Sequence, residues 1–339
     1  MTKIMIIGEA WGKDEEEAGQ PFVGASGKFL RRMLSASGID IKECYVTNVF
    51  NLRPKPNNDI KNLCGSKKEG IPGLPALQRG KFVRKEYEPE LSRLHREIEE
   101  VDPTIILALG ATPAWALLGI AGIRQIRGTI HAHKTPSGRV VKVLPTYHPA
   151  AVLREYTLQP IVYADFDKLK REAEFKDIRR THRTIWIEPT LDDLVSFERE
   201  YLSRPTDLSV DIETFGNQIT CIGFSPRPDL ALVVPFIAEG YPNQNYWPTL
   251  EDELQAWGFV KRTCENPRHR IVGQNFLYDI KFLWMVYGIK VPGLTDDTML
   301  MHHAMQPEME KGLAFLASIY ADEASWKFRR KNQTIKQED

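Results

Sequence analysis

The feature that most constrains this chain is a repeated pairing in its first half: a short apolar run, then an amphipathic stretch. Lys3 to Ile7, Cys44 to Val49, Thr104 to Leu109 and Val140 to Leu144 are apolar runs of strand length. Between them, Gly24 to Gly38 places Phe29, Leu30, Met33 and Leu34 on one helical face, and Arg84 to Val101 is a second helix that ends before Asp102-Pro103. A third helix is predicted over Thr112 to Leu118. Alternation of this kind implies a parallel sheet with helices on both faces, a three-layer αβα unit. Ligands of such sheets sit outside the carboxyl ends of the strands. Glu9, Asn48, Gly110 and His148 each follow one of the runs, so they are expected to share one crevice.

The second half has another rhythm. A strand is predicted over Thr184 to Ile187 and a helix from Thr190. Leu208 to Ile212, Gln218 to Ser225 and Ala231 to Pro235 form an antiparallel pattern, followed by helices near Glu251 to Thr263 and Asp279 to Tyr287. A mixed-sheet α/β domain is the expectation. The boundary is placed in a basic stretch near Ile178 to Thr184, which gives domains over 1–178 and 184–339, with Asp165 to Arg183 read as a charged helix leading into it. Asn57 to Gly80 is rich in Gly, Pro, Asn and Lys without a period and reads as a long surface loop.

Composition narrows the class. The 339 residues are 42% hydrophobic and 27% charged, values of a globular protein large enough for two cores. No apolar run reaches the ~20 residues of a membrane helix, and no secretory leader is recognisable, so a cytoplasmic protein with no membrane partner is expected. Net charge is zero, which gives no bulk nucleic-acid signature; only local clusters such as Arg79 to Lys85 are basic. Cys44, Cys64, Cys221 and Cys264 form no C-x-x-C pair, so reduced thiols are expected rather than a zinc site.

The segments Gly8-Glu9-Ala10-Trp11-Gly12, Gly19-Gln20-Pro21-Phe22-Val23-Gly24, Tyr45 to Val49 with Arg53-Pro54, Ile105 to Gly110, and Thr146-Tyr147-His148-Pro149 through Arg154 stand in order. Together they resemble the motifs of the uracil-DNA glycosylase superfamily, most closely its iron–sulfur branch, often called family four. The resemblance implies excision of uracil or a related pyrimidine from DNA. In that reading Phe22 stacks on an extruded base, with Gly8 and Trp11 also lining the base site. Asn48 reads the Watson–Crick edge, His148 as a neutral donor stabilises the base oxyanion, and Glu9 positions water, with Glu15 as an acidic helper. Leu153 would wedge into the duplex, with Arg154 and Gly110 against the DNA backbone. Trp11 departs from the family's Pro. Leu52 and Glu90 stand where two cluster cysteines belong, and the first pair would precede Lys3, so no iron–sulfur cluster is expected; the Gly65 to Arg84 loop would take over its structural role. His131 lies in a segment where one branch carries a DNA-linked His; an exposed loop His is the plainer reading.

Asp211-Ile212-Glu213-Thr214 and Asn275-Phe276-Leu277-Tyr278-Asp279 resemble the first two motifs of DnaQ-like 3′–5′ exonucleases, an RNase H-like fold. Asp297-Thr298-Met299-Leu300 and Leu313 to Tyr320 extend the likeness to the proofreading domain of family A DNA polymerases, especially phage ones. On a strand, Asp211 and Glu213 face the same way, which suits Mg²⁺ or Mn²⁺. Asp279 would add a ligand and Asn275 would orient its neighbours. The closing Tyr-x-x-x-Asp is not found after Trp326, with Asp322 and Asp339 poor substitutes, so an exonuclease completed by a partner polymerase chain is one expectation. A non-catalytic base-sensing DNA-binding module is another.

Overall fold

The structure, a computed structural model, describes residues 3–179, 182–292, 295–321 and 323. The expected closing motif beyond Trp326 lies outside them, as does Asp322. The chain divides into two compact units, one made of Met1–Ile178 with Ala314–Asp339, the other of Arg179–Leu313.

In the first unit the strands are β1 (Ile4–Ala10), β2 (Tyr45–Phe50), β3 (Cys64–Gly65), β4 (Phe82–Val83), β5 (Ile105–Leu109), β6 (His131–Lys134) and β7 (Val140–Thr146). The helices are α1 (Lys13–Ala18), α2 (Ala25–Ala36), α3 (Glu88–Val101), α4 (Ala111–Leu118), α5 (Pro149–Arg154) and α6 (Gln159–Glu172). The main sheet runs β2-β1-β5-β7-β6. Its first four strands are parallel, as the alternation requires, and β6 is antiparallel to β7. That edge strand was not foreseen, because His131 to Lys134 alternates polar residues around one alanine.

The pleat sorts the side chains into two layers. Met5 and Ile7 of β1, Ile106 and Ala108 of β5 and Val141 and Val143 of β7 meet Leu91, Leu94 and Ile98 of α3 and Trp115 of α4. Ile6, Ile105, Leu107, Leu109 and Leu144 point the other way, to Phe29, Leu30, Met33 and Leu34 of α2, Val152 of α5 and Val162, Phe166 and Leu169 of α6. Strand β5 is buried along its whole length, which is why its sequence is apolar without alternation.

Two expectations need correction. The charged helix placed over Asp165 to Arg183 is α6, which starts at Gln159 and ends at Glu172. Its Pro160 occupies the first turn, where a missing N–H costs nothing. The surface loop of Asn57 to Gly80 is not simply solvated. Ile60, Leu63, Cys64, Ile71 and Leu77 are buried with Val83 and Trp115, the short β3–β4 ladder closes the segment, and the Trp115 indole N–H donates to Pro75 O at 2.8 Å.

The second unit holds β8 (Thr184–Trp186), α7 (Leu191–Tyr201), β9 (Asp207–Phe215), β10 (Gln218–Arg227), β11 (Leu230–Pro235), α8 (Leu250–Cys264), β12 (Arg270–Gly273), α9 (Leu277–Tyr287), β13 (Thr295–Asp297) and α10 (Thr298–Met305). Its sheet runs β13-β12-β9-β10-β11-β8, with β9-β10-β11 antiparallel and the remaining pairings parallel. This is the expected mixed sheet. Phe197 of α7, Phe259 of α8 and Leu283 of α9 fill one core with Val210, Ile222 and Phe224. The last described helix, α11 (Leu313–Tyr320), lies almost wholly in the segment that belongs to the first unit. The four cysteines are free thiols. Among the described residues no helix is long and apolar enough to cross a membrane.

Candidate functional site

A cleft of about 870 Å³ opens at the carboxyl ends of β1, β2, β5 and β7. Glu9, Trp11, Glu15, Phe22, Asn48, Gly110, His148, Leu153 and Arg154 line it, so the strand-end residues singled out in the sequence do converge. Gly8 pairs in register with Asn48 across the β1–β2 ladder. A Cβ at Gly8 would overlap the Asn48 amide oxygen and the Phe22 ring, so glycine is what lets those two side chains close on one slot. Phe22 is 5% exposed and sits at φ 56°, a left-handed backbone uncommon for a bulky residue. Arg31 Nη1 donates to its carbonyl at 2.7 Å, and Gly27 packs so closely under that carbonyl that any side chain there would collide.

His148 caps α5 with its ring. The Ala150 N–H donates to His148 Nδ1 at 3.1 Å. A backbone amide is always the donor, so Nδ1 carries no proton and Nε2–H remains free to donate. Burial, with a smaller contribution from Arg154, pushes its pKa down to about 4, so the ring is neutral at pH 7. The ring stacks on Phe22 with centroids 6.1 Å apart. Gly110, at φ 97°, brings the β5–α4 turn against His148 Cβ.

Burial also raises the pKa of Glu9, and Asp59 adds to the rise, while the hydroxyl of Thr112, which donates to Glu9 Oε2, opposes it. Thr112 was missed in the sequence. A threonine in the first turn of a helix reads as ordinary, and only the fold sets it across from the β1 end. Glu15 lines the cleft, but its two oxygens accept from Gly12 N at 3.0 Å and Gly24 N at 2.9 Å, which clamps both ends of the α1 loop. Asn57 to Lys61 also border the cleft and were missed because the segment lacks periodicity. Leu153 is 45% exposed at the rim, beside Arg154. His131 stands on β6, half-buried, with its Nε2 2.8 Å from Thr129 Oγ1; it is not an exposed loop residue and does not line the cleft.

In the second unit the alternation of β9 exposes Asp211 and Glu213 on one side. Beyond Ser209 the ladder to β12 has ended, and Asp279 Oδ1 accepts from Ile212 N at 3.0 Å. Burial, with Asp211 and Asp297 nearby, pushes the Asp279 pKa up to about 6. Asn275 has φ 55°, and Asp297 accepts from the backbone N–H groups of Asn275, Phe276 and Met299 at 3.0, 2.8 and 2.8 Å. Tyr278 bonds Thr214 through their hydroxyls at 2.9 Å. Among the described residues no three Asp, Glu, His or Cys side chains converge to hold a metal, so this set does not by itself fit a closed cation site.

Residues 1–179 match the family model of the uracil DNA glycosylase superfamily. The type-4 uracil-DNA glycosylase of Archaeoglobus fulgidus is 33% identical over 173 residues, 50% of this chain and 75% of that protein. The chain belongs to the uracil-DNA glycosylase superfamily. A second type-4 uracil-DNA glycosylase, from Pyrobaculum aerophilum, is 36% identical over 169 residues, 49% of this chain and 73% of the relative. Behind the glycosylase unit, residues 187–336 match the 3′–5′ exonuclease family model. A DNA polymerase of Bacillus phage SP01 is 23% identical over 332 residues, spanning both units: 89% of this chain and 32% of that polymerase.

The places of the two family cysteines in the glycosylase unit are packed for other purposes. Leu52 packs, partly buried, against the core layer that holds Met5, Ile7 and Trp115. Glu90 accepts from Asn51 N at 2.8 Å and Arg93 Nε at 3.2 Å, and Arg93 in turn donates to the carbonyls of Asn48 and Val49. Helix α3 is thus tied to the end of β2 by hydrogen bonds.

Proposed function

We propose that the glycosylase unit hydrolyses the N-glycosidic bond of uracil, or a related pyrimidine, in DNA and leaves an abasic site. The observation that carries this is the state of His148: a half-buried, neutral ring whose Nδ1 is occupied by Ala150 N–H and whose Nε2–H is left to donate. Base release moves the C1′–N1 electron pair onto the departing pyrimidine, and a neutral donor aimed at O2 stabilises the anion without becoming a proton source. The nucleotide must leave the stack first. Phe22 offers the stacking face, and the Asn48 amide donates to O4 and accepts from N3–H, a pattern cytosine cannot match. Glu9, held by Thr112, orients the water that adds to C1′ and balances the charge growing on the sugar. Leu153 fills the gap in the strand and Arg154 meets phosphate. Glu15 acts on the loop rather than on the substrate.

The exonuclease unit is read as a DNA-binding partner of this chemistry. Asp211, Glu213 and Asp279 would hold Mg²⁺ or Mn²⁺ once a further ligand joins them, with Asn275 shaping the turn beside them; that ligand, or a polymerase chain providing it, lies outside the described residues. The cytoplasm, where both substrates occur, is the expected compartment. The base-sensing alternative rests on Trp11, whose indole nitrogen is buried at the cleft without a partner.

One assay separates these readings. A 5′-labelled single strand with one uracil is incubated in EDTA and then treated with alkali. Cleavage at the uracil is the expected result; an intact strand that is still bound would replace the enzyme with the sensor.

A further inference from the structure

Away from the cleft, the glycosylase unit contains a buried cluster of charged groups, Arg127, Asp165 and Lys168. Arg127, Asp165 and Lys168 are each no more than 3% exposed. Arg127 Nη1 lies 3.2 Å from Asp165 Oδ1, and Thr146 Oγ1 donates to Asp165 Oδ2 at 2.6 Å. Lys168 Nζ donates to the carbonyl of Gly128 at 2.6 Å. Cations taken out of water in this way are costly unless acceptors close around them.

The acceptors come from α11. Lys168 Nζ also donates to Ser318 O at 3.0 Å, Arg127 Nη2 donates to the Ser318 hydroxyl, and the Arg127 guanidinium lies 5.2 Å from the Phe315 ring centroid. Ser318 is within the last turn of α11, where carbonyls lack helical partners and the helix carries its partial negative charge. The fit is close at Gly128, φ 71°, where a Cβ would stand 3.2 Å from Ser318 O.

We infer that the pocket formed by Arg127, Gly128 and Lys168 is a receptor for the carboxyl end of α11, so that a segment encoded after the exonuclease unit completes the glycosylase unit. The occupant is Ala314–Tyr320 of this same chain. The pocket's chemistry asks for acceptors: it takes an acceptor-rich helix end and rejects a cation.

The test uses charge on the full chain. Amide hydrogen exchange is followed in 124–130 and 313–320, with the β1–β5 and β9–β10 ladders as references. Ser318→Lys is expected to speed exchange in both segments by roughly tenfold or more, and Ser318→Asp to keep it within about threefold of wild type. Phe315→Ala, which removes only the ring over Arg127, is expected to give the same local pattern at smaller amplitude. The inference is overturned if Ser318→Lys leaves both segments at wild-type exchange, or if Ser318→Asp loosens them as much as Ser318→Lys does. It is equally overturned if Phe315→Ala changes neither segment.

Discussion

The glycosylase cleft and the carboxylate face of β9 both collect polar side chains at strand ends, yet the first is walled in and the second is exposed. In the cleft every key group is already fixed: His148 by Ala150 N–H, Glu9 by Thr112, Phe22 by Arg31 and Gly27. On β9, Asp211 and Glu213 face outward, and Asp279 has one oxygen on a backbone amide. Chemistry that runs on neutral donors can be assembled by burial within one unit, because burial favours the neutral form. Chemistry that runs on a cation needs several anions brought together against their own repulsion, and burial with Asp211 nearby already pushes the Asp279 pKa up to about 6.

The comparison breaks first at His148. His148→Ala is expected to lower single-turnover uracil release by about 10²–10³ while binding of the uracil strand changes little. An unchanged rate would mean that the ring is only a helix cap. Gly8→Ala comes next, at roughly 10²-fold, because its methyl displaces Asn48 and Phe22 together. Asn48→Ala should cost about 1–3 kcal/mol in uracil excision and relax base choice, read by comparing strands with different pyrimidines.

The pH dependence of stability sharpens the same contrast. The folded His148 pKa is about 4 against about 6.5 unfolded, so the unfolded chain takes up the proton first. The contribution is fully present above pH ~6.5 and is lost as pH falls toward about 4, a change on the order of 3 kcal/mol. Thermal melts from pH 7.5 down to 4.5 should show a drop that His148→Gln reduces. The smallest effect concerns metal. EDTA should leave uracil release unchanged, and so should Asp211→Asn; a metal requirement for base excision would erase the distinction between the two regions.

Much of this was legible in the sequence because it depends on short-range pattern. Apolar runs of strand length located β1, β2, β5 and β7, and residues at or just past their carboxyl ends named the cleft: Glu9, Asn48, Gly110, His148. What escaped depends on contacts distant in the chain. Thr112 matters through Glu9, Glu15 through Gly12 and Gly24, and the core beneath 57–83 through Trp115. Strand β6 escaped because its pairing with β7, not its composition, makes it a strand. The place of α11 escaped because its apolar residues match either unit, and only the buried cations of the first reveal the preference.

The position of α11 in the chain has a consequence during synthesis. The receptor residues Arg127 and Lys168 are synthesised before residues 179–313, and their helix follows only afterwards. At ~5–20 residues per second the nascent glycosylase unit waits on the order of ten seconds with Arg127 and Lys168 not yet met by Ser318. Its last step of folding is therefore set by the ribosome's clock.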